Sequence, residues 1–201
     1  MADDRTTWIR HSFYLALFTS FFHLLQFGAG AILWGDTRSA ALMAFGLDAL
    51  VSSLAAVLLG FNIRKQGAEA RLQSRIAAYG YLLAAAVTCY LGGSLLWLGR
   101  YPARSVLGIT LAAVSMLVIP IIGSYMKTLG VELRSQALRA AAVFTFGNSY
   151  LSMVLLIALL MNAGMDLPIG DPLGALVMVP FMAQKGIQIL IDDGKNEYVE
   201  D

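Results

Sequence analysis

The sequence predicts an all-α integral membrane protein, built as one bundle of six transmembrane helices with both termini in the cytoplasm. Of its 201 residues, 58% are hydrophobic and only 13% are charged, and the mean hydropathy is +0.70. Soluble domains usually carry about 25% charged residues, so the composition favours a membrane protein. Six apolar runs of about 20 residues are each long enough to cross a hydrocarbon core of about 30 Å. They cover residues 11–34, 40–63, 76–98, 105–125, 136–161 and 172–191.

The first run is too long for the core of a signal peptide. Asp3 and Asp4 precede the run, and no small-residue cleavage site accompanies it, so we expect this segment to be retained as a helix. His23 and Gln26 share one face of this helix with Thr19. They could line an aqueous path or hydrogen-bond to another helix. The second interpretation is favoured, because no second strong metal ligand lies near His23 in the sequence.

The second run contains Asp48, the only carboxylate deep inside any of the six runs. A charged residue within a membrane helix is costly, and it is a candidate functional residue by default. Ser52 lies one helical turn further on, on the same face. These two residues are therefore the first candidates for an ion site.

The remaining runs carry weaker signals. Pro120 and Pro180 lie inside the fourth and sixth runs and predict kinks. The third run has polar side chains that can bond to backbone or lipid headgroups: Tyr81, Thr88, Cys89, Tyr90 and Ser94. In the fifth run, Asn148 leads a polar patch that includes Ser149 and Ser152, and a buried amide needs a partner. Asn148 with Asp48 is the predicted pair.

The connections are short, so residues 1–193 are expected to form a single domain of antiparallel neighbouring helices, followed by an acidic tail at 194–201. Positive residues are retained on the cytoplasmic side of short loops. One side would carry Arg5, Arg10, Arg64, Lys65, Arg71, Arg75, Lys127, Arg134, Arg139, Lys185 and Lys195, and the other only Arg38, Arg100 and Arg104. This asymmetry predicts cytoplasmic termini, and we expect a multi-pass protein of a bacterial inner (plasma) membrane.

Several functional classes are disfavoured. The net charge of +1 and the absence of a basic arm argue against a nucleic-acid partner. Cys89 is the only cysteine, so neither a disulfide framework nor a cysteine metal cluster is expected. No glycine-rich phosphate loop, Ser/His/Asp nucleophile arrangement or paired His or Cys ligand motif occurs, so no enzymatic activity is predicted.

The order of features resembles the transmembrane domain of cation diffusion facilitator (cation efflux) transporters, especially their short relatives of the transmembrane protein 163 type. The resemblance rests on residues 28–30, 39–54, 60–64, 137–140 and 170–176. It implies a six-helix bundle, usually dimeric, that exchanges zinc or a similar divalent ion for protons. In that family the second and fifth helices each supply two ligands four residues apart, because this spacing directs both side chains at one point.

Transferred onto this chain, the four ligand positions fall on Asp48, Ser52, Phe144 and Asn148. One carboxylate, one hydroxyl, one phenyl ring and one amide cannot neutralise a desolvated divalent ion, so the metal site is predicted to be degenerate, with the ligand at Phe144 lost. Asp48 could still bind a proton or pair with Asn148.

Two functions compete. The first is a non-transporting accessory or scaffold subunit that packs against other membrane subunits or a second copy in the lipid bilayer, without a cofactor. The alternative is a divalent-cation transporter, proton-coupled or not, in which His23 or water completes the coordination around Asp48. Passage of protons or monovalent ions through the same cavity is a third possibility.

Overall fold

The computed structural model describes residues 2–62 and 68–197, and it describes side chains over 7–58, 74–135 and 138–192. The described residues form six α-helices and no strand. They are α1 (Ala2–Thr37), α2 (Ala40–Asn62), α3 (Ala68–Leu98), α4 (Val106–Glu132), α5 (Gln136–Gly164) and α6 (Gly170–Glu197). Each contains a stretch long and apolar enough to cross a membrane. The prediction of an all-helical protein with six membrane-length helices is therefore confirmed.

The helices extend beyond several of the predicted apolar runs. The fourth run was expected to end at residue 125 and the fifth at 161, but α4 continues to Glu132 and α5 to Gly164. Hydropathy marks only the apolar part of a helix, whereas the helix itself continues until the backbone turns away. Four helices end at or near a residue with positive φ, the left-handed conformation common at helix C-termini: Arg38, Gly99, Arg134 and Asp166.

The connection between the second and third apolar runs and the predicted tail are described only in part. Within that connection, residues 64–67 lie outside the described residues, and residues 68–75 belong to α3. Residues 194–197 of the predicted tail belong to α6, and 198–201 lie outside. Pro120 and Pro180 both lie within continuous helices.

The helix α2 lies at the centre of the bundle, where it packs against α1, α3, α5 and α6. Its first half is buried against α5 and α6 in the main apolar core, which includes Leu42, Phe45, Leu151, Leu155 and Met178. Because α2 has neighbours on so many sides, its polar residues Asp48, Ser52 and Ser53 are buried against protein and do not face lipid.

Two groups of small residues, 28–30 in α1 and 92–94 in α3, each contain one glycine at which two helices approach closely. A Cβ at Gly30 would lie 3.1 Å from the Leu42 carbonyl oxygen, so α1 and α2 touch there through backbone atoms. A Cβ at Gly92 would lie 3.1 Å from the Pro172 carbonyl oxygen of α6. Gly28 and Gly93 make no such contact.

The helices α2 and α6 are joined where both begin. Asp171, near the start of α6, is fully buried. Its carboxylate accepts hydrogen bonds from the Ala40 backbone N–H at 2.8 Å and from the Ser39 hydroxyl. Both donors lie at the N-terminus of α2, where backbone N–H groups lack partners within their own helix. Asp171 therefore caps α2, and the two helices run in the same direction.

Candidate functional site

A buried ion pair joins α2 and α6 near the middle of the bundle. The Lys185 ammonium donates to Asp48 Oδ1 at 2.7 Å, and the two side chains are only 6% and 3% exposed. The same Nζ atom donates to Asn148 Oδ1 on α5. It also lies 5.1 Å from the centre of the Tyr81 ring on α3. The ammonium is therefore held by a carboxylate, an amide oxygen and an aromatic ring from three other helices.

Helix geometry explains how Lys185 reaches Asp48. Side chains on a helix lean toward its N-terminus. Lys185 lies 14 residues after Asp171, whereas Asp48 lies 8 residues after Ala40. The offset of six residues is about 9 Å along the axis at 1.5 Å per residue, and a lysine stem that leans toward the N-terminus covers most of it.

Two glycines lie beside the lysine. A Cβ at Gly186 would lie 2.8 Å from the Ala78 carbonyl oxygen of α3, so α6 approaches α3 closely beside Lys185. A Cβ at Gly147 of α5 would lie 3.6 Å from Lys185 Cε, so the stem passes directly over this residue. The lysine stem therefore contacts α5 at Gly147, while Gly186 lets α6 pack against α3.

Ser52 and Asn148 form the next part of the network. Asn148 Nδ2 donates to the Ser52 hydroxyl at 2.9 Å, and that hydroxyl lies 2.9 Å from the Tyr81 hydroxyl. All three side chains are buried. The prediction that Asp48 and Ser52 share a face is consistent with this arrangement, since both are linked to Asn148, Ser52 directly and Asp48 through the Lys185 ammonium.

His23 and Gln26 extend the network to α1 and α4. His23 Nδ1 lies 2.7 Å from Gln26 Oε1, and Gln26 Nε2 donates to the Ser115 hydroxyl at 2.8 Å. An amide oxygen can only accept, so His23 Nδ1 carries the hydrogen. His23 Nε2 then faces Asn148 Nδ2 at 3.5 Å as an acceptor, which corresponds to a neutral imidazole.

All six helices thus contribute to one polar network inside the bundle. Its members are His23, Gln26, Asp48, Ser52, Tyr81, Ser115, Asn148 and Lys185. With the imidazole neutral, its two charges, on Asp48 and Lys185, cancel. Buried polar groups of this kind are stable only when they are paired, and here each one has a partner.

The structure brings together four of the five residues singled out from the sequence: Asp48, Ser52, Asn148 and His23. Phe144, the fifth, is half-buried on α5 one turn before Asn148 and supplies no polar atom. Asn148 was expected to pair with Asp48, but the connection between them runs through Lys185. Within the part of the chain that the structure describes, no three His, Cys, Asp or Glu side chains lie close enough together to hold a metal.

Sequence reasoning missed Lys185, the residue that completes the site. Lys185 was counted among the charges that mark the cytoplasmic side, but its side chain is buried inside the bundle. The signal was present, because Lys185 lies within the predicted run 172–191. A cation inside one membrane helix and a carboxylate inside another are natural partners. Tyr81 was also missed as a site residue, although its hydroxyl was expected to find a partner.

No protein-family model matches the chain, and comparison with curated proteins gives no significant match.

Proposed function

We propose that this chain is a non-transporting membrane protein with a cation-diffusion-facilitator-like bundle, an accessory or scaffold subunit of a larger membrane assembly. In this proposal the Lys185 ammonium takes the place of a transported ion. The observation that carries the proposal is that oxygen atoms of Asp48 and Asn148 both contact Lys185 Nζ. A cation tethered to α6 neutralises the carboxylate but cannot be released on either side of the membrane.

The chemistry of the neighbouring groups supports the proposal. Divalent ions such as zinc require anionic or imidazole ligands. Asp48 supplies the only carboxylate in the network, and Lys185 already neutralises it. The imidazole of His23 is bonded to Gln26 at one nitrogen and faces the Asn148 amide at the other. An added divalent ion would therefore meet a site whose charge is already balanced.

The ties between helices also fit a static bundle. Asp171 joins the starts of α2 and α6, and the Asp48 to Lys185 pair joins the same helices further along. A transporter must rearrange its helices around the ion site to open it to each side in turn. Two buried ties between the same pair of helices resist such a movement.

Orientation and location are part of the proposal. The excess of Lys and Arg on one side supports cytoplasmic termini in a bacterial inner (plasma) membrane. The partners would be lipid and other membrane subunits, or a second copy of the chain. No cofactor is required.

The transport half of the proposal is tested in sealed proteoliposomes. The native chain, the Asp48→Ala variant and protein-free vesicles are compared for uptake of zinc, manganese, cobalt and cadmium. We expect equal uptake in all three. Uptake by the native chain that Asp48→Ala abolishes would show a working ion site and refute the proposal.

The accessory half is tested by gentle solubilisation from the native membrane. We expect another membrane protein to copurify in a fixed ratio and to remain bound through size-exclusion chromatography. A native chain that is always recovered free of other membrane proteins would contradict the scaffold role.

One observation favours the alternative, a divalent-cation transporter with altered ligands. His23 and Asp48 belong to one network through Asn148 and Lys185, so a rearrangement could turn both toward one ion. Lys185 would first have to withdraw from Asp48. In the same proteoliposomes, this alternative requires uptake that depends on both Asp48 and His23.

A further inference from the structure

The outward face of α6 carries two glutamines within its membrane-length stretch. Gln184 and Gln188 are one helical turn apart and both exposed. They belong to the stretch Gly170–Asp192, which is long and apolar enough to cross a membrane. Among the described residues, neither side chain has a hydrogen-bond partner. Each amide offers two donors and a carbonyl acceptor, so it leaves this capacity unused toward lipid.

Their depth makes this exposure costly. At 1.5 Å per residue, Gln184 lies about 20 Å along α6 from Asp171 and Gln188 about 25 Å, both within a hydrocarbon core of about 30 Å. The nearer membrane surface is the one toward the C-terminus of α6. Helical side chains lean toward the N-terminus, so both amides lean away from the nearer headgroups. A hydrogen-bonding partner within the membrane would satisfy them.

The rest of this face suits a second helix. Val177, Pro180, Gln184, Ile187 and Ile191 follow one another at spacings of three and four residues, the pattern of a helix-packing seam. Val177, Ile187 and Ile191 are each about half exposed, at 49%, 48% and 51%. The seam is therefore apolar apart from the glutamines, and one helix could cover all of it.

We propose that this face, the α6 seam, binds the α6 seam of a second copy of the chain. Two copies inserted in the same orientation can pair α6 with α6 only in parallel, about a two-fold axis along the membrane normal. Parallel pairing sets each Gln184 opposite Gln184 at the same depth. A primary amide is self-complementary because it both donates and accepts, so a second copy satisfies Gln184 without any further residue, and Gln188 lies beside the same seam. The pairing is independent of whether the chain transports an ion.

The affinity of the pair tests this proposal. The native chain is labelled for energy transfer and reconstituted in phosphatidylcholine vesicles over a range of protein-to-lipid ratios. We expect a monomer–dimer equilibrium whose dissociation constant rises about tenfold in the variant Gln184→Leu, Gln188→Leu, in line with the modest strength of hydrogen bonds between membrane helices. Leucine is well tolerated in a membrane helix, so the fold of the variant should be unchanged.

The matched control is Thr110→Val on the outer face of α4. Thr110 is also exposed and polar, but its hydroxyl donates to the Val106 carbonyl oxygen of its own helix. This variant should dimerise like the native chain. A chain that stays monomeric at every protein-to-lipid ratio, or a dimer that the glutamine variant does not weaken, would overturn the proposal.

The position of the interface is checked by disulfide crosslinking in a Cys89→Ala background, which removes the exposed native thiol. Ile187→Cys lies between the two glutamines and should crosslink two copies. Leu117→Cys, which is 72% exposed on α4, should not. Crosslinking at α4 without crosslinking at α6 would place the dimer interface elsewhere and overturn the proposal.

Discussion

Substitution of Lys185 by Met removes the ammonium that neutralises Asp48 and leaves an apolar side chain of similar length in the core. The carboxylate of Asp48, which is 2% exposed, would then lie among helices without its cation. The converse variant, Asp48→Leu, leaves the ammonium of Lys185 without its carboxylate. Both variants keep the packing volume similar, so the main change is an uncompensated buried charge.

The distance between the charges of Asp48 and Lys185 determines how much free energy of unfolding each single variant should lose. Unit charges 2.7 Å apart attract by about 6 kcal/mol at an effective dielectric constant of about 20. Part of this attraction offsets the cost of removing both charges from water. Breaking a buried pair by removing one partner typically costs about 3–5 kcal/mol. We therefore expect each single variant to lower the free energy of unfolding by about that amount.

The double variant Asp48→Leu, Lys185→Met removes both charges at once. Replacing a buried ion pair with apolar residues of similar volume is often neutral or stabilising. We expect the double variant to be more stable than either single variant, with a coupling energy of at least about 3 kcal/mol across the cycle. Equilibrium unfolding in mixed micelles with increasing SDS, followed by circular dichroism, measures all four free energies.

A control separates burial from the chemistry of the substitution. Lys127 on α4 is exposed, and Lys127→Met should change the free energy of unfolding by no more than about 0.5 kcal/mol. Additive effects of the two single substitutions, or single variants that lose less than about 1 kcal/mol, would show that the two charges do not depend on each other, and the reasoning would be refuted.

Three further predictions use other contacts. Asp171→Ala leaves buried donors at the start of α2 unsatisfied, so it should lower the free energy of unfolding by about 1–3 kcal/mol in the same assay. Its control, Asp166→Ala, removes only an exposed ion pair and should cost at most about 1 kcal/mol. Equal losses in the two variants would contradict the capping role of Asp171. Tyr81→Phe keeps the ring under the ammonium and loses one buried hydrogen bond, so it should cost about 1 kcal/mol, and no measurable loss would contradict that contact. The variant Asn148→Asp, Lys185→Met removes the ammonium and places a second carboxylate beside that of Asp48. Calorimetry should therefore detect zinc binding by this variant and none by the native chain. Zinc binding by the native chain would contradict a site that is filled by Lys185.

Much of the fold could be predicted because lipid restricts the options. A chain that crosses a hydrocarbon core must satisfy its backbone internally, so long apolar runs become helices. This is why the six runs correspond to six helices. The ends could not be predicted from hydropathy, since they depend on local features such as the Ser105 hydroxyl, which accepts from the Gly108 N–H at the start of α4. Ser135 caps α5 in the same way.

From the sequence, only those parts of the candidate site that lie on one helix could be predicted. The spacing of Asp48 and Ser52 places them on one face because residues four apart are neighbours on a helix. The contact of Gln26 with Ser115 and that of Asp48 with Lys185 join residues 89 and 137 positions apart. Such contacts depend on which helices are neighbours, and local spacing does not contain that information. Lys185 also lies toward the end of its apolar run, and a lysine in that position is most simply explained as a charge that reaches the membrane surface.

The ion pair bears directly on whether this bundle could work as a transporter. Breaking a buried ion pair costs about 3–5 kcal/mol, and each 1.4 kcal/mol corresponds to about a tenfold difference in population. A state in which Asp48 and Lys185 separate, with no water or ion to take the place of the ammonium, would therefore be populated at between about one part in 10² and one part in 10⁴. An entering cation would have to displace a tethered ammonium and replace its contacts with one carboxylate and one amide oxygen. Two measurements on the Lys185 variants thus report on the same quantity: the free energy of unfolding and the affinity for zinc. That quantity is the strength with which the Lys185 ammonium occupies the site beside Asp48.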